Sequence, residues 1–116
     1  MVRVTLIASE TLVGELNGSL TSRVKDIADT LDNFGIPSRA SDNIMGDIWH
    51  KALYNIALNH LSAIFGVSYG EIADNPHTRR LIKQMISKAF QVARASGQSL
   101  GINTADEYLE KSLFYL

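Results

Sequence analysis

Three polar side chains stand four residues apart in the middle of this 116-residue chain: Lys51, Asn55 and Asn59. On a helix that spacing puts them on successive turns of one stripe, and Ser62 falls in the same sector, about 80° wide at about 100° per residue. Around them, Trp49, Leu53, Ile56, Ala57, Leu58, Leu61, Ile64 and Phe65 spread nearly all the way round the same projection. That distribution predicts a helix buried on most sides. One ammonium and two amides on such a helix must face a cleft, water or hydrogen-bonding partners, because an unsatisfied buried amide costs about 1–3 kcal/mol. A structural reading is also open, since Asp47 lies one turn before Lys51, a favourable order for a helical ion pair. Asparagine is a mediocre helix former and is rarely placed twice on one stripe without partners. Spacing alone leaves a functional and a structural stripe equally open.

The elements that must position this stripe follow from periodicity and punctuation. Val2 to Ile7 and Thr11 to Leu16 are rich in β-formers and partly alternating, which predicts a hairpin joined through Ala8, Ser9 and Glu10. Thr21 or Ser22 caps a helix carrying Val24, Ile27, Ala28, Leu31 and Phe34, and Gly35 ends it. Ile36 to Ala40, with Pro37 inside, reads as an extended segment or edge strand. Ser41 or Asp42 opens the long helix, which runs to about Phe65 and stops at Gly66. Val67 to Asp74 reads as a loop with one helical turn. Asn75-Pro76 starts a further helix that ends at Gly97, and Asn103 or Thr104 caps a last one with Ala105, Tyr108, Leu109, Ser112 and Leu113 on one stripe. A lone hairpin leaves two unpaired edges, so it needs a helix, another chain or the rest of a larger sheet beside it.

Composition narrows the function classes. Eleven Lys+Arg against twelve Asp+Glu give a net charge of -1, which leaves no electrostatic footprint for nucleic acid or an anionic membrane. Without cysteine there is no thiolate nucleophile, disulfide or cysteine zinc site, which fits a cytoplasmic protein. His50, His60 and His77 lack metal-ligand spacing and read as single surface or boundary histidines. Arg79, Arg80 and Lys83 read as a solvated helix face. Asn17-Gly18-Ser19 matches a glycosylation sequon, which carries no meaning without a secretion signal.

The stretch from Asp47 to Asn59 has the form D-I-W-x-K-x-x-x-N-x-x-x-N and resembles the start of the helical C-terminal domain of the ketopantoate reductases. The lead-in through Gly14-Glu15, Asn17-Gly18, Phe34-Gly35-Ile36 and Ser41-Asp42-Asn43-Ile44 resembles the same family's interdomain region. Tyr69-Gly70-Glu71-Ile72 and the helix with Ala89, Val92, Ala93 and Gly97 continue the likeness. The resemblance implies a mainly α fold, with a short N-terminal β-hairpin followed by a helical bundle of the 6-phosphogluconate dehydrogenase C-terminal type. It places residues 1–40 at the end of a cofactor domain and 41–116 in a partial helical domain for substrate and dimerisation. The activity it implies is NADPH-dependent reduction of 2-dehydropantoate to pantoate, a step in pantothenate synthesis. Lys51 then stands as the general acid and Asn55 and Asn59 as substrate-binding groups. No G-x-G-x-x-G turn for the dinucleotide is present. The expectation is therefore a truncated homologue, inactive alone, that does not itself bind NADP. It would act on a ketopantoate-like 2-oxo acid as a homo-oligomer or beside a separate Rossmann-domain chain. A different class of reading is a non-catalytic helical module for homodimerisation or interaction, which the unpaired hairpin would also suit.

Overall fold

Residues 9–113 are described by the computed structural model, with side chains through Lys111. They fall into two compact units, one ending at Asp47 and one starting at Ile48.

In the first unit, β1 (Thr11–Val13) and β2 (Ser38–Ala40) form a two-stranded parallel sheet with Thr11 opposite Ser38 and Val13 opposite Ala40. Parallel neighbours need a crossover, and α1 (Ser22–Asn33) supplies it. Thr21 caps α1 by accepting from the Val24 amide at 3.3 Å, and Val24 and Ala28 are its buried residues. At its other end the Ile36 amide donates back to the Leu31 carbonyl at 3.0 Å, the six-to-one bond of a Schellman stop. The first strand of the expected hairpin, residues 2–7, lies outside the described residues. Its second strand is β1, three residues long rather than six, and its partner among the described residues is the segment after α1. The strand is cut short at Gly14, where a Cβ would lie 2.6 Å from Ile44 Cβ and 2.9 Å from the Ser41 carbonyl oxygen. Only a bare α-carbon fits there.

The long helix is capped one or two residues later than expected. Asn43, not Ser41 or Asp42, caps α2 (Ile44–Tyr54): its Oδ1 accepts from the Gly46 amide at 3.3 Å. Ser41 is buried and donates to the Asp47 carboxylate, while accepting from the Asn43 amide at 3.1 Å. Asp47 is thus part of the helix start, and the ion pair with Lys51 that spacing offered is replaced by this contact.

The second unit continues α2 through a π-helical turn at Asn55–Asn59 into α3 (His60–Phe65). Gly66, at φ +65°, ends the run in the left-handed region, with its amide on the Ser62 carbonyl at 2.8 Å. The loop expected at Val67 to Asp74 is largely helical: α4 (Tyr69–Asp74) is held by a capping box in which Ser68 and Glu71 bond each other's amides at 3.3 and 2.8 Å. Asn75 and Pro76 start α5 (Pro76–Ala95), and Thr104 accepts from the Glu107 amide at the start of α6 (Ala105–Leu113). Leu53, Ile72, Ile82 and Ile86 are the largest fully buried side chains, and Ala57, Leu58, Leu61, Phe90, Ala93, Leu100 and Tyr108 complete their cluster.

The π turn changes which side of the long helix is apolar. An i→i+5 turn takes up one extra residue, so residues beyond it lie about 100° back from where an unbroken α-helix would put them. Leu61 therefore returns to within about 20° of Leu53, and Leu53, Ala57, Leu58 and Leu61 share one buried face. Ile64 is carried off that face and is 73% exposed. The expectation of burial on most sides is thus corrected: the helix is one-sided, because a constant 100° step misplaces everything after Asn59.

Candidate functional site

The same turn tightens the polar stripe. Lys51, Asn55 and Asn59 lie on the side away from Leu53, and the Asn59 amide nitrogen donates to Asn55 Oδ1 at 3.2 Å. Ser62 leaves the stripe; its hydroxyl donates to the Val67 carbonyl at 2.6 Å and braces the turn after α3. A wide turn loosens the backbone ladder, and His60 compensates by donating from Nδ1 to the Asn55 carbonyl at 3.2 Å. His60, expected as a surface or boundary residue, is exposed and bonded to the stripe's own backbone.

Two tyrosines join the three predicted residues into one group. The Lys51 ammonium lies over the Tyr54 ring, 5.4 Å from its centroid, a cation–π contact worth about 0.5–1 kcal/mol at an exposed site. Tyr54 meets Tyr69 edge-on, with centroids 6.0 Å apart and planes at 82°. Tyr69 in turn donates its hydroxyl to Asn59 Oδ1. Burial, with a smaller contribution from Tyr69, pushes the Tyr54 phenol above its ordinary value. Neither tyrosine was assigned to the site from the sequence, although Tyr69 stands in the family-like stretch Tyr69-Gly70-Glu71-Ile72. Tyr54 was legible as an i, i+3 neighbour of Lys51. Tyr69 comes from α4, across a turn, and no local pattern announces that meeting.

The support behind the stripe is apolar and aromatic. His50, next to Lys51, stacks on Tyr108 with centroids 5.7 Å apart and donates from Nε2 to the Leu100 carbonyl. Tyr108 returns a bond from its hydroxyl to the His50 carbonyl at 2.9 Å and packs edge-on against Phe90. Glu107 is occupied elsewhere, accepting from Lys111 at 2.8 Å and from the Asn103 amide at 3.1 Å. Among the described residues no group of three His, Asp or Glu could hold a metal ion, and no helix is long and apolar enough to cross a membrane.

Residues 43–115 match the family described as Ketopantoate reductase PanE/ApbA C terminal. The chain belongs to the ketopantoate reductase family. It is 36% identical to a 2-dehydropantoate 2-reductase of Aquifex aeolicus over 98% of this chain and 36% of that protein. A second, of Archaeoglobus fulgidus, is 32% identical over 75% of this chain and 30% of that protein. The chain thus spans about a third of the length of these curated relatives. Among solved structures, D-mandelate dehydrogenase in ternary complex with NADH and anilino(oxo)acetate shares the fold, with a TM-score of 0.59 at 22% identity over 86% of this chain and 50% of that one.

A nicotinamide cofactor belongs to this oxidoreductase family, and the β1–α1–β2 unit is the place to test whether these residues fit one. Its first turn reads Gly14-Glu15-Leu16-Asn17-Gly18, two glycines four apart instead of G-x-G-x-x-G. Gly14 has no open face for a pyrophosphate, because Ile44 and the Ser41 carbonyl cover it. Thr21 already caps α1, and the neighbouring Arg23 is forked onto Glu15 at 2.7 and 2.8 Å. Arg23, then Thr21, hold the Glu15 carboxyl below its ordinary value, so Glu15 stays ionised and keeps the Arg23 guanidinium engaged in an ion pair instead of free for a phosphate. The described residues of this unit do not fit a dinucleotide.

Proposed function

We propose that this chain supplies the substrate side of an NADP-dependent reduction of 2-dehydropantoate to pantoate. The observation that carries the reading is the grouping of Lys51, Asn55 and Asn59, through Tyr54 and Tyr69, within the segment that matches the family. Reduction of a ketone builds negative charge on the carbonyl oxygen. In this reading the Lys51 ammonium stabilises that charge and gives up a proton to the oxygen as the alcohol forms. Asn55 and Asn59 hold the 2-oxo acid's carboxylate and hydroxyl with neutral donors that do not titrate and so do not compete for that proton. The Tyr54 ring under the ammonium restricts where it can go, which favours an oriented acid over a freely solvated lysine. Hydride donation falls to a nicotinamide held by a Rossmann-type domain, in the same polypeptide or in a separate chain. The 116 residues alone are accordingly expected to oxidise no NADPH in the presence of ketopantoate.

The test replaces the matching third of the Aquifex aeolicus enzyme by this chain and follows NADPH oxidation with ketopantoate. Lys51→Ala should lower kcat about 100-fold or more with the fold intact, the range for loss of a positioned general acid. Asn55→Ala and Asn59→Ala should act mainly on KM. An active chimera whose Lys51→Ala form keeps a kcat within threefold of the parent would remove Lys51 from the chemistry.

A further inference from the structure

We propose that Tyr69 is a positioning residue that fixes which atoms the asparagine pair presents. Two side-chain amides bonded head to tail can run in either direction. In one, N–H groups face outward from Asn55; in the other, its carbonyl oxygen does. Tyr69 breaks the tie, because a phenol hydroxyl is a better donor than acceptor and its partner atom is Asn59 Oδ1. With that oxygen engaged, the Asn59 nitrogen points to Asn55 Oδ1 at 3.2 Å. The Asn55 amide nitrogen then keeps both its hydrogens for a ligand, on the stripe that also carries Lys51. The outward groups are therefore donors, a set complementary to a carboxylate or an oxyanion and repulsive to nothing on a 2-oxo acid. Reversal would turn the Asn55 carbonyl toward the ligand's carboxylate and set two partial negative charges against each other. Tyr69 itself is held by its edge-on contact with Tyr54 and by the capping box at the start of α4, so its hydroxyl arrives from a fixed direction.

The orientation is argued from the free chain, and its consequence for binding rests on the substrate reading given above. The experiment is nuclear magnetic resonance on the 116-residue chain and its Tyr69→Phe form, which keeps the ring on Tyr54 and loses only the hydroxyl. The side-chain amide signals of Asn55 and Asn59 should both shift, while the backbone signals of α5 and α6 stay in place. Titration with sodium ketopantoate should then show binding about tenfold weaker in Tyr69→Phe, and the preference for ketopantoate over its neutral primary amide should fall with it. In an Asn59→Ala background, Tyr69→Phe should have no further effect, since the hydroxyl acts through Asn59. Unmoved Asn55 and Asn59 side-chain signals in Tyr69→Phe would overturn the assignment, as would losses that add fully in the double variant. Shifted amide signals in a parent chain that binds no ketopantoate would support the orientation and overturn the substrate reading instead.

Discussion

Tyr108 links the last helix to the residue beside Lys51, and separating its two contributions tests how the site helix is held. The ring is buried, stacked on His50 and edge-on to Phe90, while the hydroxyl donates to the His50 carbonyl at 2.9 Å. Tyr108→Phe removes the hydroxyl alone. A net intramolecular hydrogen bond contributes about 0.5–1.5 kcal/mol, so the loss should be near 1 kcal/mol. For a unit of this size that lowers Tm by about 4–8 °C. Tyr108→Ala also removes the ring and leaves a cavity between His50 and Phe90, for which large aromatic truncations cost about 3–5 kcal/mol. Against a total stability of about 5–15 kcal/mol, that is enough to leave a marginal unit at 37 °C. Urea denaturation followed by circular dichroism, at fixed protein concentration, gives both values. The expected order is a small shift in midpoint at constant slope for Tyr108→Phe and a large one for Tyr108→Ala. If the two variants lose the same amount, or if Tyr108→Ala loses less than about 1.5 kcal/mol, the ring is not the brace described.

Gly14→Ala should destabilise the first unit by about 1–3 kcal/mol, since a Cβ 2.6 Å from Ile44 Cβ forces backbone or side-chain shifts; thermal unfolding of the variant checks it. Acid should weaken the chain through Glu15, Glu71 and Glu107, whose carboxyls are held below the ordinary value by Arg23, by the Ser68 amide and by Lys111 respectively. A carboxyl lowered in the folded state adds stability above its unfolded pKa and loses it as pH falls through the folded value. Midpoints should therefore be flat from pH 7 to about 5 and fall below about 4. Glu71→Gln, which keeps the cap's shape and removes its charge, should make that fall shallower.

Much of the fold was legible because its signals are local. Thr21, Asn75-Pro76, Gly66 and Thr104 cap or stop helices through their own short-range chemistry, and each does so where the pattern put it. The stripe was legible for the same reason, as three residues four apart. What escaped were features set by residues distant in sequence or by departures from ideal geometry. The pairing of β1 with β2 joins residues 27 positions apart, Thr11 with Ser38, and neither strand alone announces its direction. The start of α2 moved to Asn43 because Ser41 is committed to Asp47, a contact that competes with capping and is invisible to a residue-by-residue reading. Tyr69 reaches Asn59 only after the chain has turned at Gly66 and restarted as α4.

The π turn explains why the core and the site are legible together only after the structure is known. With a constant 100° step, Lys51, Asn55 and Asn59 drift about 40° per pair while the apolar residues spread round the helix. Neither pattern is then clean, and in that projection the two compete for the same surface. One extra residue taken up at Asn55–Asn59 resolves both at once. It returns Leu61 to the side of Leu53 and draws Asn59 back toward Lys51. The buried contacts of Leu53 before the turn, of Ala57 and Leu58 within it and of Leu61 after it then hold the wide turn in register. A π turn is ordinarily less stable than α-helix, so it persists because the core on one side would come apart if it relaxed. The amide pair sits on the π turn itself, so its geometry is inherited from the apolar packing on the opposite face.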